Sequence, residues 1–141
     1  MTGKTEASLS EIIAEGYYSL EVTNNKNNSK AVTMSDDMRV TFPAGDITNP
    51  VFWLNDTDSK APGGTFTTAK ADDILRIAHG FTHSDTINYQ WYRNDRILEG
   101  EVTDKYIIPS TGGGGIYKVA VTNTYNGNTK TEEYSITVIT I

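Results

Sequence analysis

The sequence predicts an all-β protein built as a two-sheet antiparallel sandwich with an N-terminal β-hairpin arm. Three observations carry that reading. The stretch Gly115-Ile116-Tyr117-Lys118-Val119-Ala120-Val121-Thr122-Asn123 alternates large apolar with small or polar residues, the period-two pattern of a half-buried strand. Tyr89-Gln90-Trp91-Tyr92 and Leu75-Arg76-Ile77 alternate upstream of it, which sets further strands around a central Trp. Between such runs stand Gly80, Asn94-Asp95, Gly100, Gly112 to Gly115 and Asn126-Gly127, the residues that tight connections need.

Taken in order, Ser8-Leu9-Ser10-Glu11 fits a capping box, and Ile12 to Glu15 before Gly16 predicts a short helical turn with a Gly stop. Gly16-Tyr17-Tyr18-Ser19-Leu20-Glu21-Val22-Thr23-Asn24 then repeats the later stretch: both read Gly-x-Tyr-x-aliphatic-x-Val-Thr-Asn. Tyr18, Leu20 and Val22 are expected to share one apolar face of a strand. Asn24 to Asn28 make a polar turn, and the return strand runs from Ala31 or ends at Met38 to Phe42. Pro43-Ala44-Gly45 breaks this hairpin.

Val51-Phe52-Trp53-Leu54 is continuously apolar, so it buries on both faces or sticks to something, and Asn55 to Gly64 has long-loop or linker chemistry. Regular strand spacing begins at Thr65. The expected division is therefore an arm over 1–60 and one domain over 61–141. Asn126-Gly127 predicts the turn that pairs the last two strands, because this dipeptide accepts positive φ at both central positions.

At 141 residues the chain has length for one core and an appendage, and too little for two full domains. Twelve Gly, 8 Tyr and a mean hydropathy of -0.43 suit a β protein with a solvated surface. The 18 Asp and Glu outweigh 12 Lys and Arg, for a net charge of -6, so the overall field opposes nucleic acid and anionic membranes, and neither is expected as a partner. With no cysteine there is neither a disulfide nor a thiolate metal site. Met1 to Glu6 lead into no apolar run of signal-peptide length, so the sequence predicts folding in a reducing cytoplasm.

The chemistry-bearing residue types do not assemble into a reaction centre. His79 and His83 fall on a strand and its loop, without the Glu that a zinc-protease helix needs. His83-Ser84-Asp85 holds the three triad residue types consecutively, and neighbours on an extended chain point to opposite sides. Gly112 to Gly115 lacks the Lys and Ser or Thr of a phosphate loop, and Asp56-x-Asp58 and Asp72-Asp73 lack the register of a calcium loop. No catalytic residue, metal ligand or cofactor is predicted, and the expectation is a protein that is not an enzyme.

Residues from about 65 to 141 resemble an immunoglobulin-like β-sandwich domain. Leu75-x-Ile77 resembles the second strand, with Ile77 where the family often has its first Cys; Trp91 resembles the core Trp of the third strand. Val119 stands where the second Cys would be, and Tyr117, two residues earlier, matches the tyrosine corner. The resemblance implies that aliphatic packing replaces the disulfide. Residues 16 to 42 resemble only the last two strands of such a sandwich, and two strands alone are marginal in water. The implied role of the arm, through Tyr18, Leu20 and Val22, is docking on another subunit by strand addition.

Domains of this kind occur on phage virions and bacterial surface proteins. The resemblance therefore implies a non-enzymatic structural or binding module. First comes a virion-associated protein, a capsid decoration or tail component folded in the host cytoplasm, whose partners are other structural subunits or copies of itself. The alternatives are a fragment of a bacterial cell-surface adhesin with tandem domains, and a carbohydrate-binding accessory module that takes a cell-surface glycan. Trp53 in the arm, outward-pointing Tyr92 beside Arg93, and Tyr125 in the final hairpin are the candidate contact residues, because aromatics and Arg dominate interface energetics.

Overall fold

The computed structural model describes residues 14–26 and 29–141. Among them the chain is all strand and turn, with thirteen strands and no helix. The helical turn expected over residues 8 to 16 lies outside the described residues up to Ile13, and from Ala14 the chain leads through a bend into the first strand. The chain divides into two units, one ending at Phe42 and the other spanning Pro43–Ile141.

The first unit contains β1 (Gly16–Tyr18), β2 (Glu21–Lys26), β3 (Ser29–Met34) and β4 (Met38–Val40). β1 pairs with β4 and β2 with β3, both antiparallel, as two separate two-stranded sheets. The return strand expected from Ala31 or to Phe42 is thus two strands. The pairing slips by one residue at the join, from Tyr18↔Met38 to Glu21↔Met34. Ser35 bridges the slip: its N–H donates to Leu20 O (2.8 Å), and its Oγ accepts from Leu20 N–H (2.7 Å). The extra residue of this bulge lies on the return side, where Ser35 to Asp37 stand opposite Ser19-Leu20.

The second unit is the sandwich. One sheet runs β10 (Arg96–Ile97), β9 (Thr86–Arg93), β12 (Gly115–Tyr125), β13 (Asn128–Thr140), β7 (Thr65–Ala69). The other runs β11 (Lys105–Ile107), β8 (Ile74–Phe81), β5 (Ile47–Leu54), β6 (Asp58–Lys60). All pairs are antiparallel except β13 with β7, which is parallel. Two-residue turns at Asn94-Asp95 (φ 47° and 62°) and Asn126-Gly127 (φ 48° and 76°) close two hairpins, with the positive φ pair that the twist of the strands favours.

The boundary expected at residue 60 moves to Phe42 and Pro43, because Val51 to Leu54 belong to a strand of the sandwich. β5 pairs with β8 through Phe52↔Ile77 and Leu54↔Leu75, and Phe52 is fully buried. The expected linker after it is a tight hairpin instead: Asn55 and Asp56 adopt positive φ (51° and 54°), and β6 returns along β5. Asn55 Nδ2 donates to Asp73 Oδ1 (2.8 Å) and Asn55 Oδ1 accepts from Ile74 N–H (2.8 Å), which ties this turn to the start of β8.

The core sits between the sheets around Trp91, which is fully buried with Ile77, Tyr117, Val119, Phe66 and Leu75. Phe52 meets the indole edge-on (centroids 6.2 Å, 61°), and Tyr106 lies between Trp91 (6.1 Å) and Tyr117 (5.4 Å). Both polar handles are satisfied by backbone: Trp91 Nε1–H donates to Thr103 O (2.8 Å) and the Tyr117 hydroxyl to Gly113 O (2.6 Å). That bond, reaching back four residues from Tyr117, is the tyrosine corner of an immunoglobulin-like sandwich. Gly113 is required there, since a Cβ would stand 2.6 Å from Ile108 Cγ2.

Candidate functional site

The arm exposes apolar side chains on both of its faces. In the β2–β3 ribbon, Val22 lies opposite Thr33 on one face, whereas Val32 lies opposite Thr23 on the other, the face shared by Met34. Val22, Val32 and Met34 are each about half exposed (52%, 48% and 55%). Leu20 falls between β1 and β2, outside either strand, and Tyr18 is half-buried with its hydroxyl donating to Ala14 O (2.6 Å). Because each arm sheet has two strands, both edges of each carry main-chain N–H and C=O groups that no third strand meets among the described residues. Of the three expected docking residues, Val22 keeps its place on an exposed strand. Val32 and Met34 on the return strand are exposed as well, which the alternation in Ala31-Val32-Thr33-Met34 signals.

The four expected contact residues do not converge. Trp53 lies on β5 between the buried Phe52 and Leu54, so it faces outward from the four-stranded sheet, half-buried. The Arg76 guanidinium stands 6.0 Å from its ring centroid and is held by Asp56 Oδ1 (2.6 Å). Tyr92 faces outward from the other sheet, on the opposite side of the sandwich, with Lys118 Nζ 4.8 Å from its ring centroid. Lys118 in turn sits 3.5 Å from Glu133 and 3.9 Å from Asp95. Trp53 and Tyr92 therefore cannot line one platform.

Arg93 serves the fold. Its Nε and Nη2 donate to Gly114 O (3.1 and 2.6 Å), and its guanidinium lies 5.7 Å from the Tyr117 centroid, fixing the glycine turn over the tyrosine corner. Tyr125, at the end of β12, packs against His83 (centroids 5.6 Å). His79 and His83 are thus separate: His79 Nε2 pairs with the Tyr89 hydroxyl (2.9 Å) and its Nδ1 lies 3.1 Å from Gly80 O. No group of three or more His, Asp or Glu suited to a metal ion occurs among the described residues.

The altered acidities belong to the core and to one ion pair. Burial pushes the Tyr117 hydroxyl up to about 12, with the nearby Arg93 charge opposing, and burial likewise raises Tyr89, Tyr106 and Tyr134. Lys130 is raised by its hydrogen bond and charge pairing with Asp46 at the surface. Every one of these shifts follows from packing or a surface pair, and none marks a group poised for proton transfer near neutral pH.

Neither a family model nor a curated protein matches the chain. Among solved structures it is similar to a chimeric titin Z1Z2-Z1Z2 tandem (Z1212) functionalized with a GRGDS exogenous peptide from fibronectin, at 11% identity and a TM-score of 0.39. That match covers 90% of this chain and 65% of the solved one.

Proposed function

We propose that the chain is a non-enzymatic structural and binding module that docks through its arm and displays its immunoglobulin-like sandwich. The observation that carries this is the arm itself. Two two-stranded sheets with unpaired edges and apolar side chains exposed on both faces are too small to be stable in water alone. Such a ribbon gains by joining a neighbour's sheet, where main-chain pairing supplies affinity and alternate side chains supply selectivity. The setting that suits this best is a virion, where the chain would decorate a capsid or tail and its partner is another structural subunit. A core closed by Ile77, Trp91 and Val119 without any cysteine supports assembly under reducing conditions.

Removing residues 1–42 tests the reading. The remaining sandwich is expected to fold, with a cooperative melt and a buried-Trp emission spectrum, while sedimentation shows that it no longer joins the assembly that the full chain joins. Unchanged assembly accompanied only by lost thermal stability would sink the docking role.

A further inference from the structure

Among the described residues, β9 has a stretch of outer edge that no strand of the sandwich pairs. β10 meets β9 only through Arg96↔Arg93 and Ile97↔Tyr92. The chain then crosses to the other sheet, with Leu98 N–H donating to Trp91 O (2.9 Å) and Trp91 N–H to Glu101 O (3.1 Å). Main-chain hydrogen-bonding direction alternates along a strand, so Ile87 and Tyr89 aim their N–H and C=O the same way as Trp91. No strand of the sheet pairs with them there. The facing sheet is uncovered at the same level. β11 pairs with β8 only over Ile74 to Arg76, Ile77 N–H reaches Asp104 O (2.9 Å), and Ala78 to Phe81 run past it. The His79 and Tyr89 side chains meet across this opening, and Phe81 beside them is 52% exposed.

The other edges of the sandwich are protected: β13 ahead of its pairing with β7 carries Lys130, Glu132 and Glu133, and β5 ahead of its pairing with β6 carries Pro50 after Asn49 at positive φ (48°). β10, β11 and β6 are two or three residues long and carry Arg96, Lys105, and Asp58 with Lys60. β7 is longer, but its inward Phe66 and Ala69 are fully buried. Thr86 to Gln90 has neither a charge nor a proline, and its inward Ile87 and Tyr89 are only half-buried. An uncharged open edge over a half-covered core is the kind that pairs with another strand.

The chain carries a strand that complements it. The Ser35 N–H to Leu20 O bond marks those two as a hydrogen-bonded pair, so Val22 and Thr33 are the next, and the main-chain groups of Val32 and Met34 point away from β2. Both side chains lie on one face, at the same spacing as Ile87 and Tyr89. We propose, building on the docking role of the arm, that β3 of a second copy of this chain adds to the open edge of β9. The strands run antiparallel, with Val32 opposite Tyr89 and Met34 opposite Ile87. These are hydrogen-bonded pairs from both sides, and paired residues share a face, so Val32 and Met34 come down over Phe81 and the His79–Tyr89 contact. The contact joins arm to edge, two different surfaces, so successive copies connect head to tail into a ring or filament.

In this register Thr33 faces Asn88 as a non-hydrogen-bonded pair, with Cα atoms about 4.5 Å apart, within disulfide reach. Both residues are exposed, and the chain has no cysteine to interfere. Mixing T33C with a size-tagged N88C under mild oxidation is expected to give a disulfide-linked heterodimer as the main covalent product. T33C with T122C, from the middle of the same sheet, gives none. Adding V32D and M34D to the T33C chain lowers the heterodimer yield about tenfold while the melt of the sandwich stays in place. Absence of the heterodimer, or a yield indifferent to V32D and M34D, overturns the proposal, as does a T33C/N88C chain that closes only within itself. Should residues 1–42 still be needed for assembly when the heterodimer fails, the arm docks on a different partner and only this assignment falls.

Discussion

The two copies of Gly-x-Tyr-x-aliphatic-x-Val-Thr-Asn begin alike and end differently. Gly16 and Gly115 both take positive φ (155° and 146°), and Tyr18 and Tyr117 each donate a 2.6 Å hydrogen bond to the carbonyl four residues upstream. After the Tyr they part. Tyr117, Val119 and Val121 are fully buried on an eleven-residue strand, whereas the arm copy is split at Ser19-Leu20, with Leu20 and Val22 exposed. β12 is paired on both edges, by β9 and β13, and faces a second sheet. Among the described residues the arm strands are paired on one edge only. Local chemistry sets the glycine and tyrosine geometry, and the neighbours decide whether the strand is continuous and what its apolar residues are worth.

The largest expected contrast is at the two tyrosines. Tyr117→Ala removes a fully buried aromatic and is expected to cost about 3–5 kcal/mol in urea unfolding followed by Trp fluorescence. Tyr18→Ala, half-buried but in the separate arm unit, should leave that transition within about 0.5 kcal/mol. Equal losses would mean that arm and sandwich unfold as one cooperative body.

The closing asparagines give a smaller contrast. Asn123 is fully buried, and its Nδ2 lies 2.9 Å from Gly45 O and 3.3 Å from both Thr82 O and His83 O, pinning the entry of the sandwich to the β8–β9 loop. Its Oδ1 is buried without a donor, which offsets part of the gain. Asn123→Ala is therefore expected to lower the melting free energy by about 1–2 kcal/mol. Asn24, exposed on the arm, should tolerate the same change within about 0.5 kcal/mol. A melt unaffected by Asn123→Ala would show that the clamp contributes nothing.

The hydroxyl of Tyr117 sharpens the comparison further. Tyr117→Phe keeps the ring and loses one buried hydrogen bond, for about 1 kcal/mol. The folded-state pKa of Tyr117 lies at about 12, above its ordinary value of 10.0, so above pH 10 the unfolded chain releases this proton first. Its contribution is fully present below pH 10 and is lost as the pH rises toward 12. The wild-type chain should lose stability across that window, and Tyr117→Phe should lose less, with the remainder coming from Tyr89, Tyr106 and Tyr134, which are raised in the same direction. Identical alkaline slopes in a pH series of urea melts would contradict this assignment.

Much of the sandwich was legible residue by residue. Ile77, Trp91, Tyr117 and Val119 lie where alternation and the Trp-to-Tyr pattern put them, since inward facing on a strand is a period-two property. The Asn-Gly turn follows from its permitted φ values in the same way. β5 was misplaced because a short continuous apolar run has no period to read, and its partner β8 lies across a hairpin and a further strand in sequence. The candidate site was less legible. Arg93 reads as a surface cation, yet its use depends on a glycine carbonyl brought beside it by the fold.

The sequence by itself determined which residues alternate, where the chain turns, and the bond that each repeated Tyr makes four residues back, because these depend on atoms only a few residues apart. The tertiary structure alone decided which copy of the repeat is buried, that the arm slips by one residue between Tyr18 and Glu21, and that β9 keeps an open edge from Thr86 to Gln90. Those outcomes depend on which strands arrive from far along the chain, and main-chain pairing carries no side-chain label that a linear pattern displays.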